Sequence, residues 1–173
     1  MDSYKSKIRT MTENDLKQVL RWRNDPFVRK NMFSNKEIPF REHQDWYKKC
    51  SSDPNHYLLI FENFGEPSGF VNFKVKIPSM EASWGFYRSP SSFSGVGVQM
   101  GNAALLYAFK KLNVKKIWGE VLMQNKRSID FHLSMGFKEE TRLENDTESS
   151  EVSYNIVCFS ISKHDFKPLK MSV

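Results

Sequence analysis

Three runs of aromatic and β-branched residues, "NHYLLIFEN" at 55–63, "SGFVNFKVKI" at 68–77 and "EASWGFYRS" at 81–89, follow one another closely and commit this chain to a sheet. The first two are parted by "FGEPSG", turn chemistry that predicts an antiparallel hairpin. The third reads as a further strand, bracketed by Pro78 and Pro90. Directly after it comes "FSGVGVQMGNAALLYAF", where Gly95 and Gly97 stand at the passage from loop to helix. That helix is expected from about Gly97 to Leu112, with Val98, Leu105, Ala108, Phe109 and Leu112 on the stripe that packs on the sheet.

The flanking segments read as shorter elements. A strand is expected over 4–11, then a helix opened by Thr12 or Asn14 that carries Leu16, Val19, Leu20 and Arg23 at helical spacing. Asn24-Asp25-Pro26 breaks it, because the residue before a proline is pushed out of the helical region. A second helix is expected from Arg41 to Ser51. After the glycine helix, "KKIWGEVLM" is another strand. "NKRSIDFHLSMGF" reads as a helix capped by Asn125, burying Ile129 and Leu133 and closing on Gly136 with Phe137 behind it. Two last strands, near 137–143 and 152–162, are joined by "ENDTESS". One domain over 1–165 is expected, with 166–173 as a tail.

Composition narrows the function classes. No apolar run approaches the ~18 residues of a membrane span and the first residues lack a signal peptide's hydrophobic segment, so a cytoplasmic protein with no membrane partner is expected. Cys50 and Cys158 are far apart and read as free thiols. His43, His56, His132 and His164 show no metal-ligand spacing, so no metal is expected. The formal net charge is +6, but no nucleic-acid motif accompanies it. Residues 1–50 carry 12 Lys and Arg against 7 Asp and Glu, a bias that also suits a small anionic ligand.

Chemistry gathers where strands meet helices. A helix N-terminus exposes unpaired N–H groups and partial positive charge, so a glycine-rich entry can cradle phosphate without a lysine; a plain tight turn is the other reading of two glycines. Asn125, Ser128 and His132, at offsets 0, 3 and 7, share one polar stripe while Ile129 and Leu133 face the core. Glu120 lies in an apolar strand five residues before Asn125. A carboxylate buried there would have a raised proton affinity suited to a general base, or would be paired with a Lys or Arg.

With "SSFSGVG" ahead of a helix and "EVLMQNKRSIDFHLSMGF" from strand to helix, residues 80–140 resemble the acetyl-CoA-binding half of the GNAT N-acetyltransferase superfamily. The resemblance implies an α+β fold with a mixed, mostly antiparallel sheet of about seven strands and flanking helices, split at the acetyl-CoA site. Gly95 and Gly97 match the glycines of the family's pyrophosphate loop, which would bring Ser92, Phe93, Ser94 and Val96 to the cofactor. Ser92 stands where Gln or Arg is usual. By position, Phe86 and Tyr87 would present amides to pantetheine and the thioester carbonyl, and Asn125 and Ser128 would flank the arm. Glu120 matches the family's proton acceptor. His132 stands where a tyrosine commonly protonates the departing thiolate; an imidazolium could do so, or His132 packs beside the cofactor and water supplies the proton.

The first half, with "DLKQVLRWRNDPFVRKNMF" and "IPFREHQDWY", resembles the RimJ/RimL-like branch, especially the acetyltransferases of amino-sugar nucleotides on the way to pseudaminic acid. The resemblance places Trp22, Arg23, Asn24, Phe33, His43 and Trp46 among the acceptor contacts. Aromatic faces can stack on base or sugar, and Arg can hold a diphosphate, though packing explains any one of them. The expected activity is direct acetyl transfer to the 4-amino group of a UDP-linked deoxyamino sugar, by a monomer or homodimer. The alternatives are a protein N-terminal or polyamine acetyltransferase, or a non-catalytic acetyl-CoA-binding or nucleic-acid-binding module.

Overall fold

The computed structural model describes residues 6–143 and 155–169. The first residues of the first expected strand, the "ENDTESS" loop and the start of the last strand lie outside the described residues. Seven strands form one sheet: β1 (Lys7–Thr10), β2 (His56–Asn63), β3 (Glu66–Lys76), β4 (Glu81–Arg88), β5 (Lys116–Leu122), β6 (Lys138–Leu143) and β7 (Ile156–Ser162). Their spatial order is β1-β2-β3-β4-β5-β7-β6, and every neighbouring pair is antiparallel except β4 and β5. This is the mixed, mostly antiparallel α+β sheet that the sequence resemblance implied.

The hairpin turns more tightly than expected. Phe64 and Gly65, both at positive φ (53° and 82°), form a two-residue connection whose twist suits antiparallel strands. β3 therefore begins at Glu66 and takes in Pro67, which pairs with Glu62 beside a register shift, a place where a missing N–H is tolerated.

Among the described residues, five helices cover the sheet: α1 (Leu16–Asn24), α2 (Pro26–Arg29), α3 (Phe40–Ser51), α4 (Val96–Lys110) and α5 (Lys126–Ser134). A 3-10 turn at Glu13–Asp15 leads into α1, and the Thr12 N–H donates to Asp15 Oδ2 at 2.8 Å. Asp25 ends α1 and caps α2, its Oδ1 accepting from the Phe27 N–H at 2.9 Å. α5 is capped as the sequence predicts: Asn125 Oδ1 accepts from the Ser128 N–H at 3.1 Å, and Gly136 closes it at φ 88°.

The alternation of β2 shows why its central run is apolar throughout. Leu59 and Phe61 face the core beneath α4 and α5, whereas Leu58 and Ile60 face a second core with Leu16, Val19, Trp22 and Cys50. Two expected packing faces are corrected. On α4, Val98 is 41% exposed, and Val96, Met100, Ala104, Leu105, Ala108 and Phe109 make the buried stripe. On α5, Leu133 is 49% exposed while its neighbour His132 is buried at 2%. The cap and the aromatic residues beneath it rotate this helix so that Phe131, His132 and Met135 face the sheet. Phe166 packs on Phe109, and the Leu169 N–H donates to Asn102 Oδ1, so the chain after 165 stays against the domain as far as described.

β4 and β5 are parallel because α4 crosses between them. Their pairing is short: Glu81, Ala82 and Ser83 pair with Lys116, Ile117 and Trp118, and then it stops. Beyond that point β4 remains bonded to β3, and β5 to β7. The sheet opens as a wedge at the carboxyl ends of its two parallel strands, where α/β architectures bind ligands.

Candidate functional site

A cleft of about 1850 Å³ occupies this wedge and continues under α1 and α3. β4 brings Phe86, Tyr87 and Arg88 to one wall, and β5 brings Glu120 to the other. Gly95 and Gly97 close one end from the start of α4, and Asn125, Ser128 and His132 come from α5. The other end holds Arg23, Phe33, His43 and Trp46. Twelve of the expected site residues thus line one cavity, although the two halves of the chain that supply them are far apart in sequence.

The glycine entry has the form a phosphate cradle requires. Gly95 is the residue before α4, at φ 89°, a left-handed conformation that favours glycine. Gly97 has no such constraint, and a Cβ built on it would meet nothing within 4 Å. Neither backbone conformation nor packing among the described residues asks for glycine at 97; closeness to a ligand would. The N–H groups of Ser94, Gly95 and Gly97 donate to no acceptor among the described residues.

Other loop residues depart from expectation. Val96 is buried in the core, and Phe93 is 68% exposed outside the cleft. Ser94 is exposed. Ser92 is engaged within the loop: its Oγ donates to the Ser89 carbonyl at 2.6 Å and accepts from Arg88 Nη1 at 2.8 Å. Arg88 Nη1 also reaches the Ser92 carbonyl at 2.8 Å. Burial, and then the nearby Arg127, push the Arg88 guanidinium below its ordinary value.

His132 differs most from its expected role. Its Nδ1 lies 2.7 Å from the Ser128 carbonyl, which only accepts, so Nδ1 carries the hydrogen. Nε2 is then the acceptor for Trp84 Nε1–H at 3.3 Å. Burial pushes its pKa down to about 4, against the raising effect of the Ser128 carbonyl. Both ring nitrogens are engaged and burial disfavours the charged ring, which weighs against the imidazolium-donor reading of the two that the sequence left open. Glu120 is also unlike the expected buried carboxylate. It is exposed on β5, facing the cleft, and is paired with Cys158 across the β5–β7 ladder.

At the other end, two expected contacts are structural. Trp22 is 4% exposed and belongs to the core under α1 and α3. Asn24 spends its amide on Ile38, donating to the carbonyl and accepting from the N–H, both at 2.9 Å, which ties down the segment after α2. Arg23 and His43 remain available. Arg23 Nη2 donates to the Ser34 carbonyl at 2.9 Å, while its buried Nη1 has no partner among the described residues. Burial and then the neighbouring Arg29 lower its pKa, opposed by Tyr87. His43 hydrogen-bonds to the Leu16 carbonyl, stacks on Trp46 at 5.0 Å, and leaves its buried Nε2 without a partner among the described residues. Burial lowers the pKa of that imidazole, against the raising effect of the Leu16 carbonyl. Tyr87 is pushed up by burial and stays a neutral phenol.

Arg88, Trp84 and Gly119 were not singled out by sequence reasoning. A signal existed for the glycine, since an isolated Gly inside a strand suggests close approach by another group. No group of three or more His, Cys, Asp or Glu side chains that could hold a metal occurs among the described residues. No helix among them is long and apolar enough to cross a membrane.

The split parallel pair, the glycine helix entry and the cleft define an acetyltransferase of the GNAT class, and the chain belongs to that family: the acetyltransferase (GNAT) domain matches residues 6–138. It is 28% identical to acetyltransferase PseH of Campylobacter jejuni over 130 residues, 73% of this chain and 80% of that one. It is 24% identical to spermidine N(1)-acetyltransferase of Escherichia coli K12 over 162 residues, 92% of this chain and 87% of that one. In three dimensions it is similar to spermidine N-acetyltransferase from Vibrio cholerae, solved with CoA and spermine. There the TM-score is 0.82 at 20% identity, covering 92% of this chain and 96% of that one.

Proposed function

We propose that this acetyltransferase transfers the acetyl group of acetyl-CoA to the 4-amino group of a UDP-linked deoxyamino sugar, as a step toward a surface-glycan sugar of the pseudaminic acid kind, in the cytoplasm. The observation that carries the acceptor is Arg23, a half-buried guanidinium in the cleft whose Nη1 is buried and has no partner among the described residues. A partly desolvated cation with no counter-charge among the described residues is unfavourable, and a diphosphate would supply the missing partner. Trp46 and Phe33 offer faces for a base or sugar, and His43 Nε2 offers an acceptor for a hydroxyl or ring N–H. The likeness to PseH supports the same reading.

At the donor end, Gly95, Gly97 and the start of α4 hold the cofactor's pyrophosphate, and Arg88 stands in for the long side chain that Ser92 lacks. When bound, acetyl-CoA supplies the activated thioester. The β4 edge at Phe86 and Tyr87, left without a strand partner after Ser83, holds the carbonyl oxygen with its amides. Asn125 and Ser128 flank the arm. Glu120 accepts the proton that the attacking amine loses, through water. With His132 uncharged and engaged, solvent protonates the departing thiolate.

A polyamine acceptor is the second reading. Asp25, Glu42 and Glu120 all reach the cleft, and the spermidine acetyltransferases are similar over more of the chain. Release of CoA thiol from acetyl-CoA against UDP-amino sugars, polyamines and short peptides separates the two. Turnover is expected with a UDP-amino sugar, and Arg23→Gln should raise its KM at least tenfold with acetyl-CoA affinity unchanged. Turnover with spermidine and none with any UDP-amino sugar would overturn the acceptor assignment.

A further inference from the structure

The wedge between β4 and β5 has a defined apex. Backbone pairing ends at Ser83 and Trp118, and the next residues on the two strands are Trp84 and Gly119. At that level a side-chain bond replaces the missing rung: Trp84 Nε1–H donates to His132 Nε2 at 3.3 Å. His132 is itself fixed, donating from Nδ1 to the Ser128 carbonyl one helical turn back. Its ring is stacked on Phe159 of β7 at 5.0 Å and stands edge-on to Phe137 at 4.9 Å. A Cβ on Gly119 would lie 2.7 Å from His132 Nε2 and 2.8 Å from Trp84 Nε1. The bond therefore rests directly against the main chain of β5, and only glycine leaves it room. Phe86, one of the cleft-lining residues of β4, packs on Trp84 at 4.6 Å and on the His132 ring at 5.7 Å.

We propose that the Trp84–His132 hydrogen bond is a pin at the apex of the split, fixing how far β4 and β5 separate and where the thioester end of acetyl-CoA comes to rest. On this assignment His132 is a positioning residue that acts through Trp84 and Phe86. The proposal rests on the reading of the split as the acetyl-CoA site, and it holds whatever amine the enzyme acetylates. The physical reason is local. Two strands that have lost their ladder have nothing but side chains to set their separation, and this is a directed bond crossing from β4 to α5 with β5 as its floor. Because Nδ1 is spent on the Ser128 carbonyl and Nε2 on Trp84, neither nitrogen is left to hand a proton to a thiolate.

The test uses the full chain and measures acetyl-CoA affinity by calorimetry, melting temperature, and the pH dependence of kcat. His132→Leu strands the Trp84 N–H and should lower the melting temperature. The double variant Trp84→Phe with His132→Leu removes both polar partners, a change that costs far less stability than stranding one. That double variant should melt close to the wild type yet bind acetyl-CoA about three- to tenfold more weakly, the worth of one directed bond. His132→Gln, whose amide oxygen can take the place of Nε2, should restore most of the affinity and leave the kcat–pH dependence unchanged. Wild-type affinity and kcat in the double variant would overturn the pin. So would a basic limb of kcat that disappears in His132→Gln, since it would mark His132 as the proton donor. Failure of the wild type itself to bind acetyl-CoA would instead remove the cofactor reading, and the pin with it.

Discussion

His132 couples the fold to pH through one buried ring. Folded, its pKa is lowered to about 4 by burial; in an unfolded chain an imidazole titrates near ~6.5. As pH falls through that upper value the unfolded chain takes up a proton that the folded chain refuses, so stability declines with falling pH. Below about 4 both states carry the proton and this loss levels off. The full difference corresponds to about 3 kcal/mol. Urea midpoints at pH 7 and pH 4 should therefore fall further for wild type than for His132→Gln; equal falls would refute the assignment. Asp15 and Glu62 add their own loss at lower pH. Burial raises both, but their bonds to Arg9 and neighbours outweigh it and hold them below the usual carboxylate range, and subtracting the variant removes their share. This behaviour was not legible in the sequence. Offsets of 0, 3 and 7 place Asn125, Ser128 and His132 on one stripe but do not say which way the stripe faces. The aromatic cluster of Trp84, Phe86, Phe137 and Phe159 turned it inward.

At the scale of an element, the entry to α4 separates two glycines that look alike in sequence. Gly95 is set by its own φ of 89°, so Gly95→Ala forces a side chain into a left-handed conformation and should cost about 1–2 kcal/mol of stability. Gly97 lies in open space inside the helix, where alanine is the better helix former by up to ~1 kcal/mol. Gly97→Ala should therefore leave stability unchanged or raised while weakening acetyl-CoA binding at least tenfold by calorimetry. Unaltered binding would mean that no ligand approaches that face. Arg88 belongs to the same element boundary. Arg88→Gln should weaken CoA but leave acetyl-pantetheine, which lacks the pyrophosphate, nearly unaffected, and Ser92→Arg in that background should restore CoA affinity. Equal weakening of both ligands would reduce Arg88 to a brace for the loop. The glycines were legible because backbone freedom and helix-end charge are local properties. Arg88 was not, because its bearing on the loop depends on a side chain reaching four residues along a turn.

Across the whole molecule, the cleft interrupts the sheet between β1–β4 and β5–β7, so a ligand seated there bridges two halves whose strands, among the described residues, are joined by the three register pairs of β4 and β5. Acetyl-CoA at a hundredfold excess over its Kd should stabilise the chain by about 2.7 kcal/mol. For a domain of this size that raises the melting temperature by about 5–10 °C, measurable by calorimetry and independent of the acceptor. No shift at saturating acetyl-CoA would count against the wedge as the cofactor site. By itself the sequence determined the order of elements, the caps of Asn125 and Gly136, the glycine entry to α4 and the seven-stranded sheet. Each rests on periodicity, turn chemistry or capping, which act over a few residues, or on a resemblance carried by such local motifs. Tertiary structure alone decided that Trp22 and Asn24 are structural while Arg23 and His43 keep a free group. It also decided that Val98 and Leu133 face outward, that Glu120 is exposed, and that His132 is buried and bonded to Trp84. Those outcomes depend on which faces meet when distant segments pack, and burial, partner and charge state are properties of that meeting.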